Sequence, residues 1–240
     1  MTPVYTYWDQ PRRLTSPANR RLLDFWALTW AAHGWVPVVL GQSDLTEADR
    51  LWHSDTTRNF PTINGRTYED ACWERWSALR NVGGGVFVDA DVFNFGWPPT
   101  GAAPLARYDF VALQPYHNIG AHWCSESGAQ HLRELFSCPE YVRYRTHKWY
   151  PGQGPHISDM TVICAWLANP EHDSAFTTSR VCHDFNRVSS DFRGAGTPSG
   201  ASLVHFSNDA MARHAGHTDR VAAALWLAAL QGRPVPPVDP

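Results

Sequence analysis

The chain carries no surplus of positive charge: 20 Lys and Arg face 23 Asp and Glu over 240 residues, a formal net charge of −3 with histidine neutral. A nucleic-acid backbone is normally met by clustered Lys and Arg, so this balance disfavours nucleic acid as a partner. Cysteine is sparse and odd in number, 5 in all with no C-x-x-C spacing. That argues against a disulfide framework or a cysteine zinc site, and reads Cys72 and Cys164 as buried thiols of a reducing compartment. Long apolar runs are missing too. The longest, Val221 to Leu230, is about half of what a bilayer-spanning helix needs and reads as a buried C-terminal helix. No charged segment followed by an apolar one opens the sequence, so a cytoplasmic protein without a secretory signal or transmembrane segment is expected. Repeats, low-complexity blocks and linkers are also absent. The expected organisation is a single domain over residues 1–231 with a proline-rich, extended tail at 232–240.

Tryptophan, by contrast, is plentiful, with 12 copies. A flat apolar face with one donor suits stacking on a base or a sugar, and equally suits a thick core. Hydrophobic residues at 43% and charged residues at 18% place the chain among globular proteins.

Val4 to Trp8 is β-branched and aromatic and stops at Asp9-Gln10-Pro11, which reads as a strand entering a loop. Ser16 and Pro17 open a helix that His33-Gly34 closes, and Trp35 to Leu40 forms a second strand. Strand, helix and strand in this order make the βαβ unit of a parallel sheet. Helices follow over Thr46 to His53 and Tyr68 to Asn81, then a glycine triplet and the strand Val86 to Val88. Further on come a strand at Tyr108 to Leu113, a loop region containing Asn118 and Gly120, and helices at Gln130 to Phe136 and Asp159 to Leu167. Residues 171–200 read as a long loop, and Ser202 to Phe206 as a final strand. The fold class expected is α/β: a Rossmann-like, mostly parallel sheet flanked by helices.

In such a sheet, ligands gather beyond the carboxyl ends of the strands. Val86 to Val88 is apolar on both faces, as a central strand should be, and Asp89 and Asp91 stand where it ends. If the chain stays extended there, side-chain alternation points both carboxylates to one side. Two hard oxygen donors so placed suit Mg²⁺ or Mn²⁺ with positions left open for diphosphate oxygens. Upstream, Ala71, Arg75, Ala78 and Val82 recur at helical spacing, so Arg75 projects from a stripe of small apolar residues and requires an anionic partner. Arg80 falls off this stripe and reads as solvated.

The block from Cys72-Trp73-Glu74-Arg75-Trp76 through Val82-Gly83-Gly84-Gly85 to Val86-Phe87-Val88-Asp89-Ala90-Asp91-Val92 resembles the conserved block of glycosyltransferases with a sugar-binding DXD region, which have the GT-A fold. The resemblance is specific over about 21 residues, and elsewhere holds in element order alone. It implies a metal-dependent, hexosyltransferase-like enzyme that takes a nucleotide sugar, with a UDP-sugar favoured, uses Mn²⁺ or Mg²⁺, and usually retains the anomeric configuration. The acceptor is open: a glycan, a protein or a small molecule, and less readily a nucleic acid. Several relatives carry an Asp one helical turn before the Arg, where this chain has Cys72, with Asp70 or Glu69 as potential substitutes. Asp159, at a serine-capped helix start, resembles the residue that contacts donor sugar or acceptor, and would be the catalytic base of an inverting enzyme. A plain helix-start carboxylate is the alternative. His205 stands where relatives complete the metal shell, so the implied metal set is Asp89, Asp91 and His205. The implied donor contacts are Trp8, which could stack on the base, with Asp9, Arg75 and Asp89.

Two other readings compete with this one. A haloacid-dehalogenase-type phosphatase also has D-x-D after a strand, but on its first strand, whereas some 85 residues precede this motif. The nearer rival is a non-catalytic nucleotide- or carbohydrate-binding module whose acidic pair is structural.

Overall fold

The computed structural model describes residues 1–8, 16–114, 120–138, 156–168, 181–182, 188–214 and 219–236. Its elements in chain order are β1 (Thr2–Tyr7), α1 (Pro17–Ala31), β2 (Trp35–Leu40), α2 (Glu47–Thr56), α3 (Arg66–Asn81), β3 (Gly84–Val88) and β4 (Val92–Asn94). They continue with β5 (Phe110–Ala112), β6 (Ala121–Ser125), α4 (Glu126–Phe136), α5 (Asp159–Ala168), β7 (Val181–Cys182), β8 (Ser189–Asp191), β9 (Leu203–His205), α6 (Asn208–Arg213) and α7 (Arg220–Gln231).

Six strands form the main sheet in the order β2-β1-β3-β6-β5-β7. β1 runs parallel to both β2 and β3, and β7 runs parallel to β5. β6 is antiparallel to both of its neighbours, β3 and β5. A second sheet, β4-β9-β8, pairs β9 antiparallel to β4 and parallel to β8.

Side-chain alternation along β1 and β3 divides the core in two. Val4, Val86 and Val88 join the cluster under α1 and α7 with Phe25, Trp26, Trp30 and Leu227, while Tyr5 and Phe87 join the cluster under α3, α4 and α5. A strand covered on both faces reads as a continuous apolar run, which is what Val86-Phe87-Val88 presents. Most of the tryptophan is used here: Trp26, Trp30, Trp35, Trp73, Trp76, Trp97 and Trp166, seven of the 12, are buried in these two clusters.

The helix starts follow local chemistry. Pro17 occupies the first turn of α1, and Thr46 caps α2 by accepting a hydrogen bond from the Asp49 amide. Gly34 takes φ +85° between α1 and β2, a conformation that few other residues tolerate. The stretch 171–200, read above as one long loop, contains β7 and β8 among its described residues. These strands are 2 and 3 residues long, too short to show a period in sequence. No helix among the described residues is long and apolar enough to cross a membrane.

Candidate functional site

β3 ends at Val88, and the chain must leave the main sheet to enter β4 of the second one. It does so by a turn, with the Val92 amide donating to the Asp89 carbonyl at 2.9 Å. Asp89 and Asp91 are thus brought together by chain reversal, and not by the extended alternation expected from sequence, because the two sheets need a change of direction here. The turn is pinned on both sides. The Asp89 amide donates to the Gly120 carbonyl at 2.7 Å, and the Phe206 amide to the Asp91 carbonyl at 2.9 Å.

β9 lies beside β4 in the register Val92↔His205, which sets the imidazole against the turn. The ligand atoms of Asp89, Asp91 and His205 all lie within 4.8 Å of one another. His205 Nε2 is 3.2 Å from Asp91 Oδ1. On the other edge of the ring, Gln114 Nε2 lies 2.8 Å from His205 Nδ1 and donates at 2.8 Å to Asp191 Oδ1. Gly120 faces the ring so closely that an added Cβ would sit 2.6 Å from His205 Cε1. Gly120→Ala is therefore expected to push the imidazole out of line and lower divalent-cation affinity by about 10-fold or more, the scale on which outer-shell contacts act. Titration of Mn²⁺ into the wild type and the variant checks this, and equal affinities would show that the ring position does not matter.

Arg75 approaches from α3. Its Nη1 donates to Asp89 Oδ1 at 2.7 Å, while Nε and Nη2 both donate to Asp159 Oδ2 at 2.8 and 2.6 Å. Asp159, at the start of α5, is 1% exposed. Its Oδ2 also accepts from Trp76 Nε1 at 2.8 Å, and its Oδ1 accepts from the Met160 amide at 2.7 Å. The small-residue stripe around Arg75 thus leads the guanidinium to a bridging position between two carboxylates.

Arg220, at the first turn of α7, donates through Nε to Asp91 Oδ2 at 3.2 Å and to the Phe206 carbonyl at 2.8 Å, and through Nη2 to Asn208. Sequence reasoning missed Arg220, Asn208, Gln114 and Asp191. Gln114 follows β5 of the main sheet, Asp191 ends β8 of the second, and Asn208 and Arg220 open α6 and α7, so only the tertiary fold brings them to the turn. Arg80, expected to be solvated, is instead fixed by Asp49 at 2.8 Å and Gln130 at 2.8 Å. A neighbouring helix, α2, supplies that partner, which helical spacing within α3 cannot reveal.

Electrostatics distinguish the two carboxylates of the turn. Burial pushes Asp89 up to about 6, with Arg75 pulling it down and the Asp91 charge adding to the rise. Asp91 sits below the ordinary carboxylate range: burial opposes this, but the charges of His205 and Arg220 outweigh it. His205 is raised, because the pull of Asp91 exceeds the cost of burying the charged ring.

A cavity of about 270 Å³ opens beside the turn, and Arg75, Asp89, Asp91 and Arg220 are among its lining residues. Trp8 lines it as well, its indole nitrogen buried without a hydrogen-bond partner, as do Tyr68 and Cys72 from the turns of α3 before Arg75. Asp9 lies outside the described residues. Two carboxylates and an imidazole within reach of one point, beside an open cavity, make a set of O and N donors that fits a divalent cation.

No family model and no curated protein matches the chain. Solved structures do. One is a glycosyltransferase involved in the glycosylation of the major capsid of PBCV-1, at TM-score 0.49 and 10% identity, with 95% of this chain and 99% of that one covered. Another is the WbbM bifunctional glycosyltransferase, at TM-score 0.48 and 10% identity; the match spans 96% of this chain but only 51% of WbbM. A third is the galactosyltransferase LgtC in complex with donor and acceptor sugar analogs, at TM-score 0.50 and 14% identity, covering 96% of this chain and 95% of LgtC. On the LgtC match the fold agrees with the one the DXD block implied, and the chain is an α/β protein of GT-A architecture.

Proposed function

We propose that this chain is a metal-dependent glycosyltransferase that moves a sugar from a nucleoside-diphosphate sugar, a UDP-sugar favoured, to an acceptor with retention of configuration. One observation carries the reading: the ligand atoms of Asp89, Asp91 and the buried His205 converge within 4.8 Å of one another, and the two carboxylates line a cavity that Arg75 and Arg220 also line. The GT-A likeness supports it as a fold, and the donor set gives it chemistry. In this reading the three residues hold Mn²⁺ or Mg²⁺, which supplies counter-charge to the diphosphate of the donor. Four free thiols among the described residues suit a cytoplasmic setting.

The chain's own groups do the rest. Breaking the bond between anomeric carbon and phosphate oxygen leaves negative charge on the departing diphosphate, and fixed cations stabilise charge that grows in the transition state. Arg220 is the better placed of the two arginines for that work. Its hydrogen bonds go to Asp91, Asn208 and a carbonyl, and its side chain is 28% exposed. Arg75, held by Asp159 and Asp89, orients the Asp89 carboxylate and presents its remaining edge to the sugar side of the cavity. Trp8 offers its ring to the nucleobase.

Asp159 takes a positioning role in this reading, not the general-base role that an inverting enzyme would give it. Its Oδ2 already accepts three hydrogen bonds and its Oδ1 one, leaving little capacity for an acceptor proton. With the candidate base so occupied, a retaining route in which a leaving phosphate oxygen receives the acceptor proton is favoured.

The protonation of the site sets a pH test. Asp89 has a folded value near 6 against an ordinary 3.8, so its share of folding stability is present below the ordinary value and is lost as pH rises through 6. His205 is likewise raised, and a cation needs both groups deprotonated. Saturating Mn²⁺ is therefore expected to raise Tm by about 5–10 °C at pH 7.5, from roughly 2.7 kcal/mol at 100 times Kd, and by less than about 2 °C at pH 5. Differential scanning calorimetry at both pH values decides; an equal shift at pH 5 would remove these groups from the metal shell.

A further inference from the structure

A second cavity, of about 320 Å³, lies between α2, α3 and α4 and shares no lining residue with the one beside Asp89. Asp49, Trp52, Arg80, Gln130, Arg133 and Glu134 are among its walls. At its base two guanidinium groups converge on one carboxylate: Arg80 Nη2 and Arg133 Nη1 reach Asp49 Oδ1 at 2.8 and 2.7 Å.

Asp49 has nothing further to give. Its Oδ2 accepts from the Thr46 amide at 3.0 Å, the Thr46 hydroxyl at 2.8 Å and the Asn81 amide at 2.7 Å, so its two oxygens accept five hydrogen bonds. A carboxylate has about four lone-pair sites. Arg133 is 9% exposed, its guanidinium carbon 4.5 Å from the Trp52 ring centroid, and its Nε is buried without a hydrogen-bond partner. The buried charge therefore does not balance. Two arginines meet one Asp; His53, pushed down to about 4 by burial and by the Arg133 charge, is neutral at pH 7. Glu134 is 61% exposed and bonded by Gln130 at 3.0 Å, so its charge is largely screened by water. A buried surplus cation with an unused donor is costly unless an anion answers it, and the flat fork of arginine matches an oxyanion.

We propose that this cavity binds a phosphomonoester group, held by the guanidinium groups of Arg133 and Arg80, which both line it. The site is separate from the proposed donor site and does not depend on that assignment. Its volume leaves room for a small organic phosphate beyond the oxyanion itself.

Isothermal titration of inorganic phosphate into the whole chain, at constant ionic strength set with chloride, tests it. Because phosphate could also enter the cavity beside Asp91, three proteins are compared: the wild type, Gln130→Glu and Arg220→Ala. Gln130 is exposed at the rim, so Gln130→Glu keeps the fold while bringing a competing carboxylate to Arg80. The expected result is saturable binding in the wild type, a loss of about 3-fold to 5-fold or more in Gln130→Glu, and unchanged affinity in Arg220→Ala. Glycerol phosphate is expected to bind at least as tightly as phosphate, and acetate more weakly. No binding by the wild type, binding lost only in Arg220→Ala, or acetate equal to phosphate would each overturn the proposal.

Discussion

Asp91→Asn is expected to lower Mn²⁺-dependent affinity for a nucleoside diphosphate by roughly 100-fold or more, because loss of a mere outer-shell contact already costs about 10–100-fold. The fold is expected to survive. The turn is held by backbone bonds, Val92 to Asp89 and Phe206 to Asp91, which the amide side chain leaves in place. What changes is charge. His205 Nε2 and Arg220 Nε, both 3.2 Å from the carboxylate, lose the anion that balances them. Arg220 retains Asn208 and the Phe206 carbonyl, so the stability cost stays near 1–3 kcal/mol, the range for hydrogen bonds lost from buried groups. Calorimetric titration of UDP and GDP with Mn²⁺, alongside a thermal melt, separates the two effects. An affinity equal to that of the wild type would remove Asp91 from the metal set.

Arg75→Met is expected to cost about 3–5 kcal/mol of stability, since removing one partner of a buried pair strands the other. The stranded group is Asp159, 1% exposed, which would retain only Trp76 Nε1 and the Met160 amide. For a chain of this size that loss corresponds to about 6–20 °C in Tm. The double change Arg75→Met with Asp159→Leu removes both charges, and is expected to recover most of the stability without recovering donor binding. A single variant that melts with the wild type would show that Arg75 is not the counter-charge of Asp159. A double variant that binds donor normally would show that the pair serves the fold alone.

The parts of this molecule legible in sequence are those governed by local period and capping. Val86-Phe87-Val88 announced a strand covered on both faces, Pro17 and Thr46 marked helix starts, and Arg75 on its small-residue stripe announced an anionic partner. Its partners could not be named, because Asp159 comes from a helix 84 residues away. β6 was missed for a related reason. Ala121-His122-Trp123-Cys124-Ser125 is a central strand only because β3 and β5 flank it, and its composition alone gives no clear period. The geometry of the D-x-D pair was misjudged because a turn and an extended strand both place residues i and i+2 close together, and the choice between them was made by the second sheet, whose strands are 3 residues each. Arg220 stayed hidden because its role depends on where α7 docks, not on its neighbours in sequence.

The most direct measurement is calorimetric titration of a panel of nucleotide sugars at pH 7.5, with Mn²⁺ and with a chelator, followed by assay of nucleoside diphosphate release into water. The account predicts binding of at least one nucleotide sugar, strongest among the UDP-sugars, that requires the cation and is accompanied by slow release of the nucleoside diphosphate. Binding unchanged by the chelator, or binding of free sugars with no nucleotide requirement and no release, would contradict it and leave a carbohydrate- or nucleotide-binding module in its place.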